Sequence, residues 1–520
     1  MSAKKPAPAT PSMDIIQAIE SPLVFRPLFK DLGTWRAWLV YLTGLTGRPF
    51  KTEEDRSLWE GCTGLRSTLP KLARESFVIC GRRSGKSFIS AIVASYLAAF
   101  RDWRPYLSAG ERGWIFVIAT DKAQAGIIKA YISGIFHRVP TLKKMIQRET
   151  IEALELRCGV SIAVKTASFR SLRGYTVLCA ILEEMAFYRS EDSANPDKEI
   201  LAALRPALAT IPQSLLIGIS TPYSKAGVLF DMFRTYFGKP GGPCIWKAPT
   251  SVMNPTIDRG LIARALAEDP QAASAEWEAE WRADIEAFIS QELVEAVTVT
   301  GRFELPRIGG VRYHAFADPS GGRQDSFTLG VAHVERNGKV VLDVLRERRP
   351  PFQPSGVVAE FSDLLKSYGV TEVTSDRYAA EWVAEAFRVV GIDVRPSEQS
   401  ASELYLELLP LIANGTAELL DSKRLAAQLC GLERRVRAGG KDLVTHYAGG
   451  HDDCAVSCAG VLTLASKSLI AGGFLGVLEH DIYPSDGGAD DLEFRPISSR
   501  LTAPPMDGYA DWANRNQRNK

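Results

Sequence analysis

The sequence predicts an α/β protein in two parts, because short apolar runs typical of buried strands alternate with helical runs in both halves. A chain of 520 residues is long for one hydrophobic core, so at least two domains are expected. In the first part, a strand at Phe77–Cys80 leads into a basic, glycine-containing turn and then a helix. In the second part, strands end in aspartates, which predicts a mixed sheet with a site at one edge.

The composition is that of an ordinary globular protein, with 46% hydrophobic and 24% charged residues. The net charge of +1 gives no overall bias toward nucleic acid, so a DNA-binding surface would have to come from local clusters. No run approaches the ~18–20 apolar residues of a membrane span, which predicts a soluble chain without a membrane partner. The eight cysteines are scattered, which favours reduced thiols in a cytoplasm over a disulfide framework.

The stretch Phe77–Phe88 reads F-V-I-C-G-R-R-S-G-K-S-F and predicts a phosphate-binding loop between a strand and a helix. Backbone N–H groups of the loop residues Gly81, Ser84 and Gly85 would cradle phosphates at the helix N-terminus. Lys86 would reach the β and γ oxygens of ATP, and the Ser87 hydroxyl would ligate Mg²⁺. The pattern G-x-x-x-x-G-K-[ST] requires glycine where this chain has Cys80. A tight turn with a solvated lysine is the alternative.

Two further strands of the first part end in polar residues. The run Val177–Leu182 leads into Glu183 and Glu184, where one carboxylate would hold the Mg²⁺ shell and the next would polarise the attacking water. The alternative is a strand cap with two solvated acids. A later strand ends at Ser220 and Thr221, whose hydroxyls would sense the γ-phosphate, although S-T-P is also an ordinary turn.

Three acidic positions of the second part are expected at one sheet edge. Asp318 and Asp376 each follow a predicted strand, and Asp452 and Asp453 begin an apolar helix. Carboxylates so placed suit two Mg²⁺ or Mn²⁺ ions about 3.5–4 Å apart that activate water and steady the leaving oxygen of a phosphodiester. Asp325 is a further candidate. The alternative is that the pair of aspartates only caps its helix.

The second part also contains a potential zinc-binding set: His446, His451, Cys454 and Cys458. Their spacing fits no standard zinc finger, and both cysteines fall on the apolar side of the helix, so core cysteines are favoured.

The expected domain organisation has five segments. They are a disordered leader at 1–12, a first domain at 13–285, a linker at 286–310, a second domain at 311–470 and a flexible tail at 471–520.

Taken together, these motifs resemble one family, the large terminase subunits of tailed bacteriophages. The resemblance covers roughly residues 75–465 and depends on the order of the motifs, since each alone is weak. The matching pieces are C-G-R-R-S-G-K-S, S-L-R-G-Y before V-L-C-A-I-L-E-E, S-T-P, A-D-P-S-G-G-R-Q-D-S, S-D-R-Y-A-A-E-W and G-G-H-D-D.

The resemblance implies a P-loop ATPase domain of the additional-strand, RecA-like type, followed by an RNase H-like nuclease domain. In the ATPase domain it implies phosphate contacts from Arg82 or Arg83, phosphate and Mg²⁺ binding by Lys86 and Ser87, and metal binding by Glu183. Glu184 would be the catalytic base, and Ser220 and Thr221 would form the coupling motif. In the nuclease domain, Asp318, Asp376 and Asp453 would bind the metals, with Asp452 the competing choice. Glu183 stands where the family more often has Asp.

The family also implies what the protein works with. The partners would be ATP, Mg²⁺ at the ATPase site, two Mg²⁺ or Mn²⁺ ions at the nuclease site, double-stranded DNA, the portal protein of the procapsid and a small terminase subunit. Several copies, five by resemblance, would form a ring in the host cytoplasm that docks transiently on the procapsid and is absent from the mature virion. A neighbouring subunit would supply an arginine to each ATP site.

The main functional hypothesis is therefore an ATP-driven DNA translocase with a metal-dependent endonuclease. A helicase-like repair or restriction enzyme with an added nuclease is the first alternative, but it would carry a second motor domain where this chain has strand-end acids. The second alternative is a non-catalytic DNA-binding scaffold switched by ATP, against which both intact sets of acids argue.

Overall fold

The structure is a computed structural model that describes residues 13–66, 73–167, 174–190, 193–376, 381–435, 442–447 and 450–479. The chain up to Leu469 forms one compact unit. A second unit begins at Ile470, and of it the structure describes the end of one helix. Within the described ranges, no helix combines the length and the apolar character needed to cross a bilayer.

The first part of the chain contains eight strands and eleven α-helices among the described residues. The strands are β1 (Glu75–Cys80), β2 (Gly113–Ala119), β3 (Ile146–Glu149), β4 (Ala153–Leu156), β5 (Val160–Thr166), β6 (Thr176–Glu183), β7 (Leu215–Ser220) and β8 (Cys244–Ala248). The helices are α1 (Ile15–Glu20), α2 (Arg36–Leu45), α3 (Glu53–Thr63), α4 (Lys86–Phe100), α5 (Lys122–Arg138), α6 (Pro140–Lys143), α7 (Pro196–Ala209), α8 (Gly227–Tyr236), α9 (Thr250–Met253), α10 (Arg259–Glu268) and α11 (Pro270–Glu278).

These strands form one sheet in the order β3-β4-β5-β2-β6-β7-β1-β8. In this spatial order, the six strands β5, β2, β6, β7, β1 and β8 are all parallel to their neighbours. Strands β3 and β4 add an antiparallel ribbon at the β5 edge. Strand β7 lies between β1, which precedes the basic loop, and β6, which carries the paired acids. This inserted strand is the feature that defines the expected additional-strand, RecA-like arrangement.

The central strands of this sheet are apolar on both faces because helices cover both sides. In β1, Val78 and Cys80 contribute to one hydrophobic cluster, and Phe77 and Ile79 contribute to the cluster on the opposite face. The acids and hydroxyls of the candidate site stand where β6 and β7 end, which places them at the carboxyl edge of the sheet.

The second part contains ten strands and six α-helices among the described residues. The strands are β9 (Ile285–Ala287), β10 (Thr298–Val299), β11 (Tyr313–Asp318), β12 (Phe327–Val334), β13 (Val340–Arg348), β14 (Glu372–Ser375), β15 (Asp393–Pro396), β16 (Ala417–Leu420), β17 (Leu432–Arg435) and β18 (Leu443–His446). The helices are α12 (Gln291–Val297), α13 (Pro354–Tyr368), α14 (Glu381–Val389), α15 (Ala401–Ala413), α16 (Lys423–Cys430) and α17 (Asp453–Glu479).

The larger sheet of this part has the order β10-β16-β13-β12-β11-β14-β15. Strands β11, β12 and β13 are antiparallel neighbours, whereas β14 joins β11 in parallel and β15 joins β14 in parallel. Numbered from β11, this five-stranded core reads 3-2-1-4-5, the order of the RNase H fold. The expected mixed α/β sheet is therefore confirmed.

Helix α17 lies unusually close to the centre of this sheet because glycines line the contact. A Cβ built on Gly460 would stand 2.4 Å from the Phe316 ring of β11. A Cβ built on Gly330 of β12 would stand 2.8 Å from the Ser457 carbonyl oxygen. The absence of these two side chains lets the start of α17 approach the ends of β11 and β12.

The range 286–310, predicted as a linker, contains regular secondary structure. This range contains most of β9 together with α12 and β10, and Phe288, Ile289, Val294 and Val297 belong to a hydrophobic cluster of the second part. Strand β9 pairs with β17, and β17 with β18, in a separate three-stranded antiparallel sheet. Short elements with few apolar residues hide this packing from a periodicity analysis.

Helix α17 continues to Glu479, within the first residues of the segment predicted as a flexible tail at 471–520. The remainder of that segment and the predicted leader at 1–12 lie outside the described residues.

The close helix–sheet contact predicts that Gly460→Ala destabilises the protein by about 1–3 kcal/mol, because the new methyl group overpacks against the buried Phe316 ring. Gly134→Ala is the matched control, since a Cβ at this helical position meets nothing within 4 Å. The control should be stabilised by about 0.5–1 kcal/mol. Urea unfolding of both variants measures the difference, and a Gly460→Ala midpoint at or above that of the wild type would contradict the packing argument.

Candidate active sites

The basic loop between β1 and α4 is held in place through its backbone. Gly85 has a φ of 82° and Arg83 a φ of 61°, so the chain turns sharply enough to aim N–H groups at one point before the helix begins. The carbonyl oxygens on the outside of the turn accept hydrogen bonds from distant side chains: Trp38 Nε1 at 2.6 Å to Ser84, Asn254 Nδ2 at 2.9 Å to Arg83 and Thr250 Oγ1 at 2.8 Å to Arg82.

Gly81, which follows the position where the phosphate-loop pattern has glycine, is required by packing. A Cβ on Gly81 would stand 2.2 Å from Thr250 Oγ1 and 2.8 Å from the carbonyl oxygens of Glu276 and Trp277. Cys80, by contrast, is fully buried at the end of β1 and pairs with Ala248 of β8. The chain therefore needs glycine at position 81, where the loop passes under α9 and α11, and it accommodates a small core side chain at position 80.

Lys86 occupies the centre of the first site with only 7% of its surface exposed. Its ammonium group donates hydrogen bonds to Thr221 Oγ1 at 2.8 Å and to the Gly81 carbonyl oxygen at 3.2 Å, and lies 3.2 Å from Glu184 Oε1. Burial alone would lower the pKa of Lys86, but the carboxylates of Glu184 and Glu183 outweigh it, so the pKa lies above its ordinary value. The lysine is therefore held as a buried cation.

Glu183, the last residue of β6, is completely buried and bonded to the first turns of α4. Ser87 Oγ donates to its carboxylate at 3.0 Å, and Ser90 Oγ donates to its other oxygen. Burial raises the pKa of Glu183 to about 7, with Glu184 adding to the rise and Ser90 opposing it. A carboxylate this poorly solvated favours any cation that reaches it, and Ser87, predicted as a Mg²⁺ ligand, is its hydrogen-bond partner.

Glu184 has a left-handed backbone conformation with a φ of 53°, which turns its side chain out of the strand direction. Its Oε2 accepts hydrogen bonds from Ser220 Oγ and from the Thr221 N–H, both at 3.2 Å. The residues expected to act as base and as coupling motif are thus in direct contact, and the Lys86 bond to Thr221 closes the network.

An open cavity of about 570 Å³ lies above this network, lined by the loop, by Gln124 and Tyr131 of α5, and by Glu184 and Thr221. Both loop arginines line this cavity, but Arg82 also pairs with Glu276 at 3.2 Å, whereas Arg83 also lines a neighbouring cavity of about 540 Å³. Phe29 and Trp35 also line the neighbouring cavity. The first site therefore offers a phosphate cradle beside an aromatic-lined space.

The second site lies where β11, β14 and α17 meet. Asp318 ends β11, Asp376 directly follows β14, and β11 and β14 are parallel neighbours, so both carboxylates leave the sheet at one edge. Asp453 enters from the first turn of α17, with Oδ2 accepting the Ser326 N–H at 3.3 Å. The structure thus brings the three predicted acids together.

The acids of the second site lie close enough to affect one another's charge. Burial raises the pKa of Asp318 well above its usual value, and the charges that add to the rise come from Asp453, Asp376, Asp452 and Asp325. Burial also raises the pKa of Asp453 to about 6. Crowded carboxylates of this kind repel one another until a cation joins them. Across the described ranges, however, no group of three or more His, Cys, Asp or Glu side chains is arranged to hold a metal ion as it stands.

Asp452 and Asp453 have different surroundings. Asp452 accepts a hydrogen bond at 2.8 Å from Tyr405, a fully buried phenol, and its carbonyl oxygen accepts the Val456 N–H as a helix cap does. Asp453 has no such side-chain donor among the described residues; it bonds the backbone at Ser326 and contributes most to the charge felt by Asp318. This geometry favours Asp453 over Asp452 as a candidate metal ligand. Asp452 instead caps the start of α17 and accepts the Tyr405 hydroxyl.

The cysteines of the potential zinc set lie in the core, as predicted. Cys454 and Cys458 are buried on α17, where burial raises the pKa of Cys454 above its usual range and the pKa of Cys458 to about 12. His446 and His451 instead face acids: His446 Nε2 lies 3.9 Å from Asp452 Oδ1, and His451 Nδ1 lies 3.5 Å from Asp325 Oδ1.

Several residues of the two sites were not predicted because their roles depend on long-range contacts. Ser90 and Gln124 support Glu183 and Ser87 in the first site, with Gln124 Nε2 at 3.1 Å from Ser87 Oγ. In the second site, Glu347 accepts hydrogen bonds from Ser326 at 2.8 Å and from Arg424 at 2.7 Å. Parts of two predicted motifs, Ser168–Arg173 and Arg377–Ala380, lie outside the described residues.

The raised pKa values predict a pH-dependent stability of the metal-free protein. Because Asp453 titrates near 6 when folded and near its ordinary 3.8 when unfolded, its contribution to stability is full below about pH 3.8 and is lost as the pH rises through 6. Asp453→Asn keeps an acceptor for Ser326 but carries no charge. Its melting temperature in EDTA should therefore exceed that of the wild type by on the order of 5 °C at pH 8 and by little at pH 4.5.

Two checks accompany this measurement. Asp363→Asn, a substitution at an exposed aspartate of α13, should show no such pH-dependent difference. Adding Mn²⁺ at pH 8 should stabilise the wild type and not Asp453→Asn. A difference between the variants that is equal at both pH values would contradict the assignment of a crowded acid site.

No family model and no curated protein matches this chain. Among solved structures, it is similar to the large terminase of bacteriophage HK97, with 16% identity over 81% of this chain and 96% of that one, at a TM-score of 0.36. It is similar to a large terminase from a thermophilic bacteriophage, with 11% identity over 75% of this chain and 94% of that one, at a TM-score of 0.33. The large terminase nuclease of the thermophilic phage G20c matches 34% of this chain and 96% of its own, with 21% identity and a TM-score of 0.29. These similar structures are large terminases of tailed phages, the family that the motifs of the sequence resemble.

Proposed function

We propose that this chain is the large terminase subunit of a tailed bacteriophage, an enzyme that hydrolyses ATP to move double-stranded DNA into a procapsid and cuts concatemeric DNA. The observation that carries the proposal is the presence of two separate acid sites in one compact unit. The first contains the buried Lys86 beside Glu183 and Glu184, and the second contains Asp318, Asp376 and Asp453.

In the proposed ATPase reaction, the loop N–H groups and Lys86 bind the β- and γ-phosphates. Glu184, held by Ser220 and the Thr221 N–H, accepts a proton from the attacking water. Thr221 contacts both Lys86 and Glu184, so departure of the γ-phosphate changes the surroundings of the residue that joins the two. Ser220 and Thr221 are therefore well placed to transmit hydrolysis to the next segment of the chain.

The oxygen donors of the two sites are of the type that suits the metals this chemistry requires, although the described carboxylates would have to move closer together to hold them. Ser87 and the buried Glu183 would hold the Mg²⁺ that accompanies ATP, and Asp318, Asp376 and Asp453 would hold two Mg²⁺ or Mn²⁺ ions, since oxygen donors suit these hard cations. The nuclease ions supply activation of a water and stabilisation of the leaving oxygen. The protein's own part is to place the carboxylates at one sheet edge and to bury them.

The remaining parts of the proposal concern organisation and partners. Residues 13–285 form the motor domain, and the nuclease domain follows it to residue 470. The partners are duplex DNA, the portal protein, a small terminase subunit and further copies of the chain, five in a ring. The complex assembles in the host cytoplasm, docks on the procapsid and is absent from the mature virion.

Lys86→Ala and Glu184→Gln should each lower DNA-stimulated ATP turnover at least a hundredfold, because one removes the buried cation and the other the base. Both variants should retain plasmid cleavage in Mn²⁺. Lys239→Ala and Glu280→Gln, at exposed positions of the same part, are the matched controls and should turn over ATP at the wild-type rate. Wild-type turnover in both site variants would refute the motor assignment.

Asp376→Ala should stop plasmid cleavage in Mg²⁺ or Mn²⁺ and leave ATP turnover unchanged, because it removes a carboxylate from the edge shared by β11 and β14. Asp363→Ala, on the exposed side of α13, is the control and should cut normally. Cleavage by Asp376→Ala at the wild-type rate would remove the nuclease from the proposal.

A further inference from the structure

A further cavity, of about 240 Å³, lies beside the nuclease acids and is lined by side chains from both parts of the chain. Its lining includes Arg189 from the segment after β6, Arg424 and Gln428 from α16, and the rings of His446 and His451. Among the described residues that line it, none is acidic, although the aspartates of the nuclease site and Glu347 lie close by. This lining is suited to an anion.

Gln428 provides the most specific feature of the cavity. The side chain is 6% exposed, and its Oε1 accepts the Ala455 N–H of α17 at 3.0 Å. This bond fixes the orientation of the amide, so the NH₂ group faces away from Ala455. Within the described residues, the buried Nε2 has no hydrogen-bond partner. A buried donor left unsatisfied costs about 1–3 kcal/mol, which a ligand with an acceptor oxygen would recover.

Arg189 adds a fixed positive charge to the same cavity. Its Nη1 donates to the carbonyl oxygens of Tyr188 at 2.9 Å and Ala186 at 3.3 Å, and its guanidinium lies 4.9 Å from the centre of the Tyr447 ring. Within the described residues, no carboxylate forms an ion pair with it. Arg424, by contrast, pairs with Glu347 at 2.7 Å and brings a charge that is already balanced.

The cavity adjoins the nuclease acids through three contacts. The Gln428 bond reaches Ala455, in the same first turn of α17 as Asp453. His446 and His451 lie against Asp452 and Asp325 at 3.9 Å and 3.5 Å.

We propose that this cavity is a phosphate-binding subsite of the nuclease, in which Gln428 Nε2 and the Arg189 guanidinium donate hydrogen bonds to a phosphate group. The inference rests on the proposed nuclease function, because the phosphate in question is a backbone phosphate of the DNA next to the one that is cut. Free inorganic phosphate has the same chemistry and is the other source of such a group.

The first test uses Gln428→Glu, which keeps the acceptor for Ala455, removes the donor and places a negative charge in the cavity. Affinity for a DNA duplex, measured in Ca²⁺ to prevent cleavage, should fall about tenfold, and the slope of log K against log salt should decrease by about 1. Gln353→Glu, an exposed residue that caps α13 without lining the cavity, carries the same charge change and should bind DNA as the wild type does.

The second test measures inorganic phosphate directly, by calorimetric titration into the chain with Lys86→Ala so that the ATP site does not contribute. Binding that disappears in Gln428→Glu and in the neutral Gln428→Met supports the subsite. If duplex affinity falls as well, the source is the DNA backbone; if only phosphate binding is lost, the source is free phosphate.

Unchanged duplex affinity together with unchanged phosphate binding in both Gln428 variants would overturn the proposal and leave Nε2 to a buried water. This failure is distinguishable from failure of the proposed function. A wild-type chain that cuts plasmid DNA but shows no effect at Gln428 loses only the subsite. A wild-type chain that cuts no DNA loses the nuclease, while the phosphate titration still reports on the cavity.

Discussion

Carboxylates forced together at the ends of buried strands are the constraint on which both sites depend. The first site balances its acids internally, because Lys86 lies 3.2 Å from Glu184 and stays charged with a raised pKa. The second site has no comparable lysine at its centre among the described residues, and the charges acting on Asp318 all come from other acids. One site therefore pairs its acids with a cation of the chain itself, whereas the acids of the other repel one another.

The candidate site residues that the sequence singled out share one property: each ends or begins a long apolar run. Glu183, Asp318 and Asp376 stand out because a polar side chain after a buried strand has no structural reason to be there. What the sequence could not reveal were partners that only folding brings near, such as Gln428 for α17.

The errors have the same physical origin. The predicted linker contains short elements whose few apolar side chains, among them Phe288 and Val294, find their partners in distant helices. Gly81 looked like a misplaced motif residue because nothing local requires it; the requirement comes from Thr250 and Glu276, far along the chain. An analysis of periodicity detects apolar residues that recur at regular spacing along a helix or strand. Neither the short elements of 286–310 nor the contact at Gly81 has such a recurring pattern.

The contact beneath Gly81 also has a mechanical consequence. The Arg82 N–H donates to the Glu276 carbonyl oxygen at 2.6 Å, so the segment at the end of α11 is fastened to the phosphate loop. The same segment continues directly into β9, which pairs with β17 in the second part. The loop that precedes α4 and strand β9 are thus joined by one short segment of the chain, from Glu276 to Ile285. A displacement of the loop would therefore be passed to β9 along the backbone of the connecting segment.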